Sequence, residues 1–288
     1  MRRGIDHLVL AVNSLDAAAE RFEALGFTLT PRASHPWGTD NRLVQLQGNF
    51  LEIVEVARPD RIESSTSTRA SFGEFNQKFL EHHEGMSMLV LETTDAARDR
   101  EEFDGRGIGG YEPFHFERKA KLPDGNEVTV AFSLAYSSSP ALPAALFFCC
   151  QQHAPEHFWK PTYQSHANAA SIVAEVYIAV DDLDAAREYF AKLQEPDAVT
   201  DTGGGLVVET PRGNLRVYRR DDAGQAVPGT SALAAQSSRQ FLGFGIRIDD
   251  LNAQAARLRD ADIEFTESDG RLWISPAQAF GCAVCFQA

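Results

Sequence analysis

Residues 4–12, GIDHLVLAV, form an apolar run broken by one acid and one imidazole. Successive side chains of a strand alternate faces, so Leu8, Leu10 and Val12 share one face and His7, Val9 and Ala11 the other. The first set is expected to pack on a helix. That helix is predicted in NSLDAAAERFEALGF, where Leu15, Ala18, Phe22 and Leu25 recur at helical spacing, Asn13 or Ser14 can cap the start and Gly26 ends it. Three β-rich runs follow at residues 28–31, 42–46 and 50–56, separated by Pro, Gly and Asn. The unit reads strand, helix, three strands.

The same order returns in AEVYIAVDDLDAAREYFAKL. Setting Leu183 on Leu15 places Asp184 on Asp16, Ala185 on Ala17 and Glu175 on His7, a self-similarity that indicates duplication. A further copy begins at QFLGFGIRIDDLNAQAARLRDADIEF and ends in RLWISP and CAVCFQA. Another begins at GMSMLVLETTDAARDREEFDGRGI and takes EVTVAFSLAY and AALFFCCQQ as its later strands. The fold class expected is therefore α+β, four βαβββ modules in two pairs. A first domain is expected over residues 1–153, a Pro-rich polar connection over 154–172 and a second domain over 173–288. Cutting near Ile172 should then leave a soluble first domain. The Ser/Thr-rich stretch RIESSTSTRASFGEF reads as a surface loop between the first two modules.

Composition narrows the function classes. With 27 basic and 41 acidic residues the formal charge is −14, which disfavours nucleic acid and anionic membrane surfaces, both of which need concentrated Lys and Arg. No run approaches the 18 or so apolar residues of a spanning helix. The N-terminal apolar stretch is interrupted by Asp6 and His7 and lacks a cleavage-like site, so a cytoplasmic protein is expected. Four cysteines in 288 residues make no disulfide scaffold. Cys282 and Cys285 lie on what reads as a terminal strand, and the adjacent Cys149 and Cys150 must face opposite ways, so all four read as core thiols.

The stretches IDHLVLAV, LDAAAERFEALGF, HPWGTDNRLVQL and NFLEIVEV resemble the vicinal oxygen chelate superfamily, in its glyoxalase-like branch. The resemblance implies βαβββ modules whose sheets curl into a cup, and a divalent metal (Zn, Fe, Mn or Ni) held in the cup by histidine and glutamate. His7 and Glu52 stand at those two positions. Glu52 would be metal ligand or catalytic base, and no organic cofactor is expected. The H-x-x-G-T-x-N stretch would line the ligand cavity with His35, Trp37, Thr39 and Asn41. The segment closing the first domain in that branch is similar to FFCCQQHAPEHFWKPTYQSHANAA, which adds Gln152, His153, Trp159, His166 and Asn168 as candidate ligand contacts.

The chain also departs from the metal-binding pattern. Met88 stands where a second module would offer its histidine, and Phe148 or Cys150 where it would offer glutamate. In the other modules Glu175 and Gly243 replace the histidine, with Val217 and Cys285 near the glutamate position. The second pair of modules reads as a degenerate copy that supports the fold or a homodimer. Three functions remain open on the sequence. One is a metal-dependent lyase, isomerase or dioxygenase acting on vicinal oxygens. Another is a metal-free protein of the bleomycin-resistance type that sequesters an aromatic or cationic small molecule. The third is a silent scaffold whose cup is filled by side chains such as Met88 and Phe148.

Overall fold

The computed structural model describes residues 2–121 and 127–288. The first module is β1 (Ile5–Ala11), α1 (Leu15–Ala24), β2 (Ala33–Ser34), β3 (Thr39–Gln45) and β4 (Phe50–Val56). After α2 (Phe72–Leu80) comes the second: β5 (Gly85–Thr93), α3 (Ala96–Gly105), β6 (Phe114–Lys121), β7 (Glu127–Ser137) and β8 (Leu146–Gln152). The short α4 (Pro155–Phe158) leads to β9 (Ile172–Val180), α5 (Leu183–Leu193), β10 (Val199–Thr202), β11 (Gly205–Glu209) and β12 (Asn214–Arg219). Then α6 (Arg220–Ala226) and α7 (Ser231–Ala234) precede β13 (Phe241–Arg247), α8 (Leu251–Asp260), β14 (Thr266–Ser268), β15 (Arg271–Ile274) and β16 (Ala283–Gln287). All four predicted βαβββ modules are present.

Each pair of modules makes one eight-stranded sheet, ordered β2-β3-β4-β1-β5-β8-β7-β6 and β10-β11-β12-β9-β13-β16-β15-β14. The modules of a pair meet antiparallel through β1 and β5 or through β9 and β13, so pairing occurs within the chain. Residues 28–31 form no strand of their own. Pro31 has no N–H to give a ladder, and Thr30 instead holds β3 through bonds to the Leu43 backbone. The short strand β2 follows.

The alternation read in β1 is present. Leu8, Leu10 and Val12 join Ala18, Ala19 and Phe22 of α1 in a large core, whereas Val9 belongs to a separate cluster inside the first sheet, with Val54, Met88, Val90 and Phe148. The large core runs without a break through both sheets. Phe27 stacks on Phe286 with centroids 6.0 Å apart, and Phe147 meets Phe190 at 6.0 Å and Phe241 at 5.6 Å. The two sheets thus share their helix-covered faces, leaving a concave face on each.

The cysteines are free and buried. Cys149 and Cys282 pack in the shared core, while Cys150 and Cys285 face the first and second cups, as strand alternation requires.

Register fixes the equivalent positions. Val9 lies beside Glu52, and by the same pairing Val90 lies beside Phe148 and Gly245 beside Cys285. In the third module Tyr177 lies beside Arg216. The counterpart of Glu52 there is therefore Arg216, one residue before Val217. A single step along a strand reverses the face, and Val217 indeed packs in the shared core.

The second cup is filled. Ala223, Val227 and Ala234, from α6, α7 and the turn between them, pack against Tyr177, Leu242 and Trp273. Glu175, in the place of His7, accepts bonds from Arg216 Nε (2.8 Å), Arg271 (2.7 Å) and the Tyr177 hydroxyl (3.0 Å). A buried carboxylate would be costly alone, and two guanidiniums supply its counter-charge.

Candidate functional site

The first cup holds a cavity of about 340 Å³. Strands β1, β4, β7 and β8 form its floor and walls. Its lining includes Phe50, Phe132, Tyr136, Phe148, Phe158 and, from the β6 side, Phe114 and Phe116. Trp37 and Phe72 close one side. Arg61, Glu63, Arg69 and Ser71, from the loop after β4, also border it, so the Ser/Thr-rich stretch covers this cup rather than lying clear of it.

The polar lining among the described residues includes Asp6, His7, His35, Asn41, Glu52 and Gln152 together with the loop residues just named. His7 and Glu52 are 6% and 7% exposed. The His7 ring stacks on Phe50, with centroids 4.4 Å apart and planes 16° apart, and meets the edge of Phe148. Its Nδ1 is 2.6 Å from Asp6 Oδ2. Because a carboxylate only accepts, Nδ1 carries the proton in this contact and Nε2 faces Glu52 Oε2, 3.7 Å away. Asn41 Nδ2 donates to the other oxygen, Glu52 Oε1, at 2.6 Å. Gln152 Nε2 donates to Asp6 Oδ1 at 2.9 Å.

Asp6 was not among the residues singled out by sequence. Simple alternation puts it on the face opposite His7, yet the β1–β5 register shifts between Ile5 and His7. A bulge of this kind re-aims a side chain, and here it brings Asp6 onto the cup side.

His35 and Trp37 reach the cavity from the turn before β3, their rings stacked at 4.6 Å. Thr39 does not line it. It is fully buried behind His35 and its Oγ1 lies 2.9 Å from His35 Nδ1, so it orients that ring. Gly38 makes the turn with φ +91°, a conformation that suits glycine.

The connecting segment was expected to contribute more than it does. Gln152 lines the cavity, but His153 is exposed and bonds Ser133 at 2.8 Å on the outer side of the sheet. Trp159 stands behind Phe50, centroids 5.8 Å apart, and it is Phe158 that faces the cavity. His166 and Asn168 lie elsewhere and tie the connection to the first module. His166 Nδ1 accepts from the Thr28 N–H at 3.0 Å, its Nε2 donates to the Gln45 carbonyl at 2.8 Å, and Asn168 donates to the Leu25 carbonyl at 3.0 Å. Irregular chain has no periodicity from which to read side-chain direction, which is why sequence placed these residues in the site.

Burial holds the His166 imidazole below its ordinary value of 6.5, against the opposing effect of its bond to Gln45. The unfolded chain therefore takes up a proton there more readily than the folded one. Stability from this group is present above about pH 6.5 and is lost as pH falls below it. His166→Ala should cost about 2–3 kcal/mol at pH 8, because it leaves the Thr28 N–H and Gln45 carbonyl unpaired. Denaturant melts from pH 8 to 5 should show the gap between wild type and variant narrowing on acidification.

The donor set is short for a metal. The opposite wall offers Met88 and Phe148 at the positions equivalent to His7 and Glu52, and among the described residues no group of three or more His, Cys, Asp or Glu is arranged to hold an ion. His7 and Glu52 make a two-donor pair, with His35 Nε2 3.7 Å from the other Glu52 oxygen. Also among the described residues, no helix is long and apolar enough to cross a membrane.

Comparison with known proteins places the fold. Along nearly its whole length the chain is similar to a hypothetical protein from Staphylococcus aureus (TM-score 0.66, 12% identity, 100% of this chain and 99% of that one). It is also similar to a triple mutant of 4-hydroxymandelate synthase from Streptomyces coelicolor (TM-score 0.59, 12% identity, 99% and 92%). A third likeness is to a fusion of a xylose isomerase-like TIM barrel with 4-hydroxyphenylpyruvate dioxygenase (TM-score 0.56, 15% identity, 99% and 49%). At such identities the likeness concerns the fold. No curated protein sequence matches the chain. The glyoxalase-like domain family, however, matches residues 5–194, more than half of the sequence. With its four βαβββ modules and cupped sheets, the chain belongs to the glyoxalase-like domain family.

Proposed function

We propose that the first cup binds a small organic molecule, taking its flat apolar body between aromatic walls and its hydrogen-bond donors at His7 Nε2 and Glu52 Oε2. One observation carries this reading. With the ring proton on Nδ1, His7 Nε2 and Glu52 Oε2 are two acceptors 3.7 Å apart at the end of an aromatic cavity, and no described residue donates to either. Gln152 Oε1, a third acceptor, is buried without a partner, and so is the donor Trp37 Nε1. Unmet hydrogen-bonding groups of this kind cost free energy in the empty site, and a ligand that meets them gains it back. Asp6 and Asn41 hold the pair in place. The reading is tested by calorimetric titration with indole. One molecule per chain should bind, and Leu134→Trp, which fills the cavity from β7, should abolish the heat while leaving the circular dichroism unchanged. No saturable binding to the wild type would sink it.

A second reading, a metal-dependent lyase, isomerase or dioxygenase, is favoured by the Asp6–His7 bond. A carboxylate on one ring nitrogen commonly orients the other toward a metal. His7 and Glu52 would be the protein ligands, and a divalent ion would supply Lewis-acid polarisation of adjacent ligand oxygens. In that case elemental analysis of protein purified without chelator should find about one transition metal per chain, lost in His7→Ala. Absence of metal after Zn, Mn, Ni and Fe(II) have been offered leaves the metal-free reading.

A further inference from the structure

The two cups treat charge differently. In the second, Glu175 has two guanidiniums within 2.8 Å, so the carboxylate is neutralised by the chain itself. In the first, Asp6 and Glu52 are 4% and 7% exposed, and the described residues give neither a Lys or Arg partner. At the position of Arg216 stands Glu52 itself. A second proton on the His7 ring would still leave one carboxylate unmatched. Among the described residues, the other positive side chains of the lining are Arg61 and Arg69 in the loop after β4, and Arg69 is paired with Glu63 at 2.9 Å.

We infer that the ligand of the first cup is a cation: a protonated amine carried on an aromatic body, its ammonium group lodged between Glu52, His7 and Gln152. The inference rests on the cup being a ligand site and specifies the charge of what enters it. An ammonium group brings three donors. With the His7 proton on Nδ1, Glu52 Oε2, His7 Nε2 and Gln152 Oε1 are three acceptors without a donor among the described residues. The surrounding rings, Phe50, Phe132 and Phe148, present π-faces or edges, and aromatic walls favour a positive over a negative guest. The chain's formal charge of −14 draws cations toward the site and repels anions.

Three probes of one shape and different charge test this: tryptamine, tryptophol and indole-3-acetate, titrated calorimetrically into the full-length chain at pH 7. Tryptamine should bind about tenfold or more tightly than tryptophol, with indole-3-acetate weakest, since a charge-assisted bond in a buried site exceeds a neutral one. In Glu52→Gln the ratio of tryptamine to tryptophol affinity should fall to about one. If the neutral or anionic probe binds as well as tryptamine in the wild type, the charge assignment is overturned while the cup remains a ligand site. If none of the three binds, both fall. One divalent ion per chain, retained on purification and lost in His7→Ala, would overturn the assignment too, since a metal would then be the missing cation.

Discussion

Glu175→Ala is expected to destabilise the protein by about 3 kcal/mol or more, read as a shift of the denaturant midpoint at unchanged slope. The substitution leaves Arg216 and Arg271 in a filled cup without their carboxylate, the Tyr177 hydroxyl 3.3 Å from Arg271 being neutral. Both guanidiniums are about a third exposed (32% and 29%) and can turn partly to water, which keeps the cost at the lower end of the range for a broken buried pair. The pH dependence gives a second check. Burial pushes the Glu175 carboxyl up, and the two arginines more than reverse this, holding it below its ordinary 4.5. A depressed carboxyl contributes stability above its unfolded value, lost as pH falls through its folded one. The variant should therefore differ from wild type most at pH 6–7 and least below pH 3.

The second large effect concerns the halves. Separated at residue 172, neither half should fold, and residues 1–172 should be recovered as insoluble aggregate, contrary to the sequence expectation of a soluble first domain. Phe27, Phe147, Val176, Phe190, Phe244 and Phe286 belong to one uninterrupted core. Cutting the chain exposes the apolar face of each sheet, and each large side chain uncovered forfeits about 1.5–3 kcal/mol. Polar ties would be lost as well. Asn49 bonds the Val173 backbone through both its amide nitrogen (3.1 Å) and its oxygen (3.0 Å), and buried Arg3 donates to the Leu193 carbonyl at 2.8 Å and, through its backbone N–H, to Gln194 at 2.7 Å. Co-expression of the halves should restore solubility. A monomeric, cooperatively melting fragment 1–172 would show that the pairs of modules are independent.

Much of the architecture was legible because it is periodic. Alternation in β1 aimed His7 into the cup, helical spacing placed α1, and the repeat located all four modules. What escaped was whatever breaks a period. The bulge that turns Asp6 inward leaves no mark on the residue pattern, and Asp6 reads there as a mere interruption of an apolar run. The difference between Arg216 and Val217 is one step of register, which is fixed by the neighbouring strand rather than by local composition. His166 and Asn168 have the residue types of a ligand site, but their hydrogen-bonding capacity is spent on backbone groups of the first module. Thr39 acts one contact removed from the cavity, a relation only the fold can supply. The wide role expected of the connection shrinks to Gln152 and Phe158, because only the end of β8 and the short helix after it touch the cup.

The packing of α6 and α7 into the second cup also bears on how the molecule responds to concentration. A duplicated fold ordinarily offers two equivalent vacancies, and communication between them would give a sigmoidal or biphasic isotherm. Here one vacancy is closed by the chain's own side chains, so occupancy should follow a simple hyperbola with a Hill coefficient of one. Any departure from that curve would have to originate between separate polypeptides.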